Sequence, residues 1–199
     1  MKKIILLFIF INAISDGYSQ TSKDHVNKAE NYLEVDDYDN AIIEYTKAIN
    51  INVSNAYEGR AYAKQKTNNF RGALEDYNKM LKLEPNSTFS LTNRCFVKCQ
   101  LEDYYGGVID ATKAIDIDPN FGKAYYHRGY AKLKLGDSRG AMSDYNKCIE
   151  LEPKYADAYF ARGLIKMMNN NKNGGCSDFS KAGELGLRKA YELIQNFCN

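Results

Sequence analysis

Apolar residues along this chain recur every three or four positions in stretches of about a dozen, the spacing that lines one face of an α-helix. Around residue 130, Tyr125, Arg128, Gly129 and Lys132 keep helical spacing until Leu135-Gly136-Asp137, a glycine stop followed by an Asp cap. A second helix is predicted over about Ser138 to Leu151, with Ala141, Tyr145, Cys148 and Ile149 on one face. It ends at Glu152-Pro153, since proline cannot continue a helix and restrains the residue before it.

That helix–turn–helix phrase repeats. Pro85, Pro119 and Pro153 are separated by steps of 34 residues, each closing a similar run: Leu-Lys-Leu-Glu-Pro, Ile-Asp-Ile-Asp-Pro and Ile-Glu-Leu-Glu-Pro. Lys79, Lys113, Lys147 and Lys181 keep the same step, and Lys47 precedes Lys79 by 32. Small residues stand in register in the first helices (Ala29, Ala61, Cys95, Gly129, Gly163) and in the second (Ala41, Ala73, Gly107, Ala141, Gly175). A large aromatic column follows at Tyr45, Tyr77, Tyr145 and Phe179, with Ala111 in the third unit, and then Ala48, Met80, Ala114, Cys148 and Ala182. A period of this length means stacked two-helix units, each burying its apolar face against its neighbours.

The pattern resembles the tetratricopeptide repeat. The resemblance covers residues 22–184 as five units, about 22–53, 54–87, 88–121, 122–155 and 156–186. It implies an all-α, right-handed superhelical solenoid of five helix pairs, with residues 187–199 as a C-terminal capping helix whose stripe is Leu187, Ala190, Tyr191, Ile194 and Phe197. Unit one is short and carries Val53 where proline belongs; unit three, with Ala111 and Gly107, is expected to have the loosest second helix.

Before the repeats, Lys2-Lys3, the apolar run Ile4 to Ile14 and the polar stretch Asp16 to Gln20 fit a secretory signal peptide over residues 1–19. The run is shorter than the roughly twenty apolar residues a membrane span needs. Export to the periplasm, the envelope or the medium is therefore expected, with no membrane span in the mature chain. The first cysteine is Cys95, so lipid attachment near the cut is not expected. A formal net charge of +2 gives no basic field for nucleic acid.

Export puts the five cysteines in an oxidising setting. Cys95 and Cys99, four apart on one helix, are poorly placed to bridge, and Cys148 takes a core column. In a hairpin turning near Gly186-Leu187, facing residues have numbers summing to about 374, and Cys176 with Cys198 meet that sum, so a disulfide between them is expected. The H-E-x-x-H, G-x-S-x-G and phosphate-loop patterns are absent from the sequence. Gly106-Gly107 and Gly174-Gly175 fall at repeat positions that open second helices. Cys95, Cys99 and His127 could be drawn as a metal site, but Cys95 sits in a small-residue column. The chain is read as a non-catalytic protein without cofactor or metal.

The repeat resemblance implies binding of another protein or a peptide on a concave face lined by first helices. Carried over by position, that groove contains Tyr62, Asn93, Phe96, Lys123, Tyr126, His127, Tyr130, Phe160, Leu164 and Met168. About a third of its aromatics are expected to pack between first helices instead. His127 among them suggests affinity that depends on pH near 6 to 7. Cytosolic heat-shock cochaperones of the family grip a C-terminal carboxylate. Here Asn93 and Lys123 match that set, while Glu58, Tyr62 and His127 replace the Lys, Asn and Arg it needs, so this mode is disfavoured. The second reading is a structural accessory subunit of a cell-envelope or outer-membrane assembly.

Overall fold

The computed structural model describes residues 21, 23–51 and 55–198; the expected signal peptide and Val53 lie outside them. The described residues are helical, with no strand among them. The helices are α1 (residues 23–34), α2 (Tyr38–Asn50), α3 (Ala56–Lys66), α4 (Phe70–Leu83), α5 (Thr88–Gln100), α6 (Tyr104–Ile117), α7 (Gly122–Lys134), α8 (Ser138–Leu151), α9 (Ala156–Met168), α10 (Lys172–Glu184) and α11 (Arg188–Phe197). None is long and apolar enough to cross a membrane. The chain divides into two compact units, Met1–Pro85 with α1–α4 and Asn86–Asn199 with α5–α11.

One turn design joins the helices of each pair. After α7, Gly136 takes φ +86°, a left-handed conformation open to glycine without steric cost. Its N–H donates to the Leu133 carbonyl and the Asp137 N–H donates to the Lys132 carbonyl, closing α7. The Asp137 side chain then accepts from the Gly140 N–H and opens α8. Asp37, Asn69, Asp103 and Asn171 repeat that N-cap, each preceded by a positive-φ residue (Asp36, Asn68, Glu102, Asn170). Each capping residue thus ends one helix and starts the next, which fixes the hairpin.

Every position of the small and aromatic columns is buried. The reason lies inside each pair: a Cβ built on Gly129 would stand 2.9 Å from the Tyr145 ring, and one on Gly163 would stand 2.8 Å from Phe179. The aromatic of the second helix lies directly on the small residue of the first, and also touches the next pair, as Tyr145 does through Ile165. In the third pair, Ala111 packs with Cys95, Cys99 and Ala131 under Tyr104, Val108 and Tyr130. The missing ring is replaced by neighbouring side chains, and α6 keeps 14 residues, the length of α8.

Helix α11 differs in part from its expected stripe. Ala190 is buried against Phe179 and Ala182, with Leu187 and Ile194 partly covered; Leu193 also faces inward, whereas Tyr191 and Phe197 are half exposed. Its ten residues fall below the roughly 12–15 at which an isolated helix becomes even marginal in water. Tertiary ties therefore hold it. Tyr191 Oη donates to the Gly183 carbonyl at 3.0 Å, and Lys189 pairs with Asp157 at 3.0 Å, an exposed pair of little energetic weight. The covalent tie is the Cys176–Cys198 disulfide, with Cα atoms 5.6 Å apart, which meets the sequence expectation. Closing 22 residues of chain stabilises by roughly 3 kcal/mol through the unfolded state.

Candidate functional site

Seven of the ten expected groove residues lie on α7 and α9 of the second unit (Lys123, Tyr126, His127, Tyr130, Phe160, Leu164, Met168). Asn93 and Phe96 lie on α5, which runs alongside α7. Tyr62 lies in the first unit, with Lys66 Nζ 5.2 Å from its ring centre. Asn93 turns back to its own helix, donating from Nδ2 to the Phe89 carbonyl.

The aromatics form a run in which Phe96 meets His127 edge-on at 5.7 Å and His127 meets Tyr126 at 5.1 Å. Tyr126 continues to Tyr155 at 5.0 Å and to Tyr145 at 5.8 Å. Tyr126 is therefore as much a core ring as a groove ring, and burial raises its hydroxyl pKa above the ordinary range. Tyr130 packs onto the Cys95–Cys99 cluster and carries Lys134 Nζ 5.5 Å from its ring centre. Phe160 lies against Phe179 and beneath Lys189. Among the ten, those most open to solvent are Lys123, Leu164 and Met168, the last 71% exposed.

His127 corrects the expected pH dependence. Burial pushes its imidazole down to about 4, with the Lys123 charge acting in the same direction and Asp157 opposing. It is neutral from pH 6 to 7, so binding at this face should be flat across that window.

Leu164 and Met168 open onto a cavity of about 310 Å³, a size at which ligand pockets begin. Leu133, Met167, Phe179, Leu193 and Phe197 complete its lining, all apolar. Sequence reading missed Leu133 and Met167 as site residues. The signal was available: both occupy the place held in the second pair by Gln65, which faces the Tyr77 hydroxyl. With Leu133 there instead, the equivalent Tyr145 hydroxyl is buried without a hydrogen-bond partner.

A polar ladder also went unread. Arg60, Arg94, Arg128 and Arg162 each fork onto an aspartate of the paired helix, Asp76, Asp110, Asp144 and Asp178, through Nε and Nη2 at 2.7–3.0 Å. Lys64, Lys98, Lys132 and Lys166 add a second cation to the same carboxylates at 2.7–2.9 Å. The aspartates are at most 4% exposed. In the first pair Glu44 takes this role between His25 and Lys47, which lower its pKa, Lys47 most. These columns keep the 34-residue step as clearly as the Lys79–Lys181 column does, and they tie helix to helix rather than offering a site.

Cys95, Cys99 and Cys148 are free thiols and buried. Cys95 and Cys99 hydrogen-bond to each other, which raises the first and lowers the second. They face Gly107, where a Cβ would come within 2.9 Å of the Cys99 sulfur, so the pair occupies space that the third repeat leaves small. No cluster of three or more metal-binding side chains occurs among the described residues.

These helix pairs define a repeat scaffold. The family model "Tetratricopeptide repeat" matches residues 25–52 and 122–155, so these two segments of the chain carry that repeat. No curated protein matches its sequence. Among solved structures it is similar to PilF of Pseudomonas aeruginosa, at 15% identity and TM-score 0.75, over 85% of this chain and 78% of that one. It is also similar to YrrB, described as a TPR protein with an unusual peptide-binding site, at 19% identity and TM-score 0.66, over 94% and 97%. MamA residues 41 to the end from Desulfovibrio magneticus RS-1 align at 17% identity and TM-score 0.71, over 83% and 94%. At these identities the likeness is one of fold: consecutive pairs of antiparallel helices.

Proposed function

We propose that this protein is a non-catalytic scaffold that binds a segment of another protein along the first-helix face of its second unit. The observation that carries the reading is the apolar cavity bounded by Leu164 and Met168 of the first helix α9. Exposed large apolar side chains that converge on a concavity are what a partner's anchor residue covers. A peptide-binding site is named for YrrB, a protein of similar fold, which supports the same use here. Export follows from Lys2-Lys3 and Ile4–Ile14 and is part of the proposal. Mass spectrometry of native protein should find a mature chain starting at about Gln20, and an intact Met1 in the cytosol would remove that part.

Met168 and Leu164 are the residues to change, because Tyr126 also supports the core. A Leu164→Asp, Met168→Asp double variant should keep wild-type helicity and weaken a captured partner by about tenfold or more, some 1.4 kcal/mol. Unchanged affinity in that variant, with loss on charge reversal at Lys79, Lys113 and Lys147 on the second helices, would overturn the groove.

A second reading rests on α6. Tyr105 and Ile109, one turn apart, are 74% and 67% exposed where the fourth pair has Arg139 and Ser143. An accessory subunit of an envelope assembly would dock through this patch. Tyr105→Glu with Ile109→Glu would then abolish assembly and leave groove binding intact.

A further inference from the structure

We infer that the Cys176–Cys198 disulfide is a reversible latch that sets whether α11 closes the end of the second unit. The inference concerns α11 alone and stands whether or not the groove binds a partner. Helix α11 supplies two walls of the apolar cavity, Leu193 and Phe197, while Leu164, Met168 and Phe179 supply the facing side from α9 and α10. Its own hold on the body is partial: Ala190 is buried, Leu193 and Ile194 are partly covered against Phe179 and Ala182, the Lys189–Asp157 pair is exposed, and the Tyr191 hydroxyl reaches the α10 backbone. The covalent bond joins α10 to the C-cap of α11, so it constrains the helix at the end opposite its connecting turn.

The bond is open to exchange. Cys176 and Cys198 both retain accessible surface, whereas Cys95, Cys99 and Cys148 are buried, so the chemistry is confined to this pair. A thiolate of a dithiol reductant attacks one sulfur, forming a mixed disulfide and releasing the other cysteine as thiolate. The reductant's second thiol then displaces the remaining cysteine. Two electrons pass: the protein gains two thiols and the dithiol leaves as a disulfide. With the bond cut, α11 is a ten-residue helix held by partial contacts, and its release turns the bounded cavity into an open apolar face on α9 and α10.

The test is amide hydrogen exchange on the full chain, oxidised, reduced with dithiothreitol, and as Cys198→Ser. Amides of α11 should exchange roughly tenfold faster or more in the reduced and Cys198→Ser forms, while those of α7 and α9 keep their oxidised protection. Fluorescence of the apolar dye ANS should rise in the same two forms and fall when the wild type is reoxidised. Equal α11 protection in oxidised and reduced protein would overturn the latch. So would loss of protection in α7 and α9 together with α11, which marks a general staple rather than a local device. Cys176→Ser provides the second variant, and its α11 exchange should match that of Cys198→Ser.

Discussion

Asp144→Ala is expected to destabilise the second unit by about 3–5 kcal/mol. Asp144 is 4% exposed and takes both the Arg128 fork and Lys132, so removing it leaves two cations against the helix pair with no counter-charge. The exposed Lys147–Glu150 pair gives the contrast. Its carboxylate is 67% exposed, and Glu150→Ala should change stability by less than about 1 kcal/mol. Denaturant unfolding of both variants measures the difference. A triple Arg128→Met, Lys132→Met, Asp144→Leu variant should recover most of the loss, because buried ion networks can often be exchanged for apolar packing with little cost. If Asp144→Ala is as mild as Glu150→Ala, the ladder is ornamental. The same logic extends to Asp110 and Asp178, with equivalent partners at similar distances.

Acid should weaken the fold through His127. Its ordinary value of 6.5 falls to about 4 in the folded chain because burial excludes the charged imidazolium, helped by the Lys123 charge. Above pH 6.5 the ring is neutral in both states and the contribution is fully present. As pH drops, the unfolded chain takes up a proton that the folded chain refuses, and stability is lost until about pH 4. The difference of pKa corresponds to about 3 kcal/mol over that window. A His127→Gln variant, which has no such proton to bind, should show a shallower fall of unfolding free energy between pH 6.5 and 4. Parallel profiles for variant and wild type would show that the imidazole is freely protonated in the fold. Near neutrality the same ring does nothing electrostatic; it is an aromatic spacer between Phe96 and Tyr126.

The helix boundaries were legible because each rests on chemistry a few residues long. Gly136 needs its left-handed turn, Asp137 supplies its cap and Pro153 forbids continuation, and the second helix of that unit runs from Ser138 to Leu151 as its sequence predicts. The Cys176–Cys198 pairing was legible for a related reason: a three-residue turn between α10 and α11 leaves one register for the hairpin. The Arg–Asp–Lys ladder was equally periodic, but spacing alone does not show whether a charged side chain is buried. That each carboxylate is buried between two cations depends on how closely the paired helix approaches.

The groove divides along the same line. Sequence by itself determined the repeat, the residues that first helices carry, and the turn that sets each hairpin, because these follow from local backbone preference and from a period. Only the tertiary structure decided which of those side chains are exposed. Tyr126 is drawn into the core because Tyr145 and Tyr155 stand beside it, whereas Met168 stays 71% exposed. The structure likewise turned Leu193 inward and left Tyr191 and Phe197 half exposed, since the angle at which a ten-residue helix meets its neighbours is set by packing rather than by its own stripe. And it made His127 a neutral ring, because desolvation is a property of what surrounds a residue and not of the residue itself.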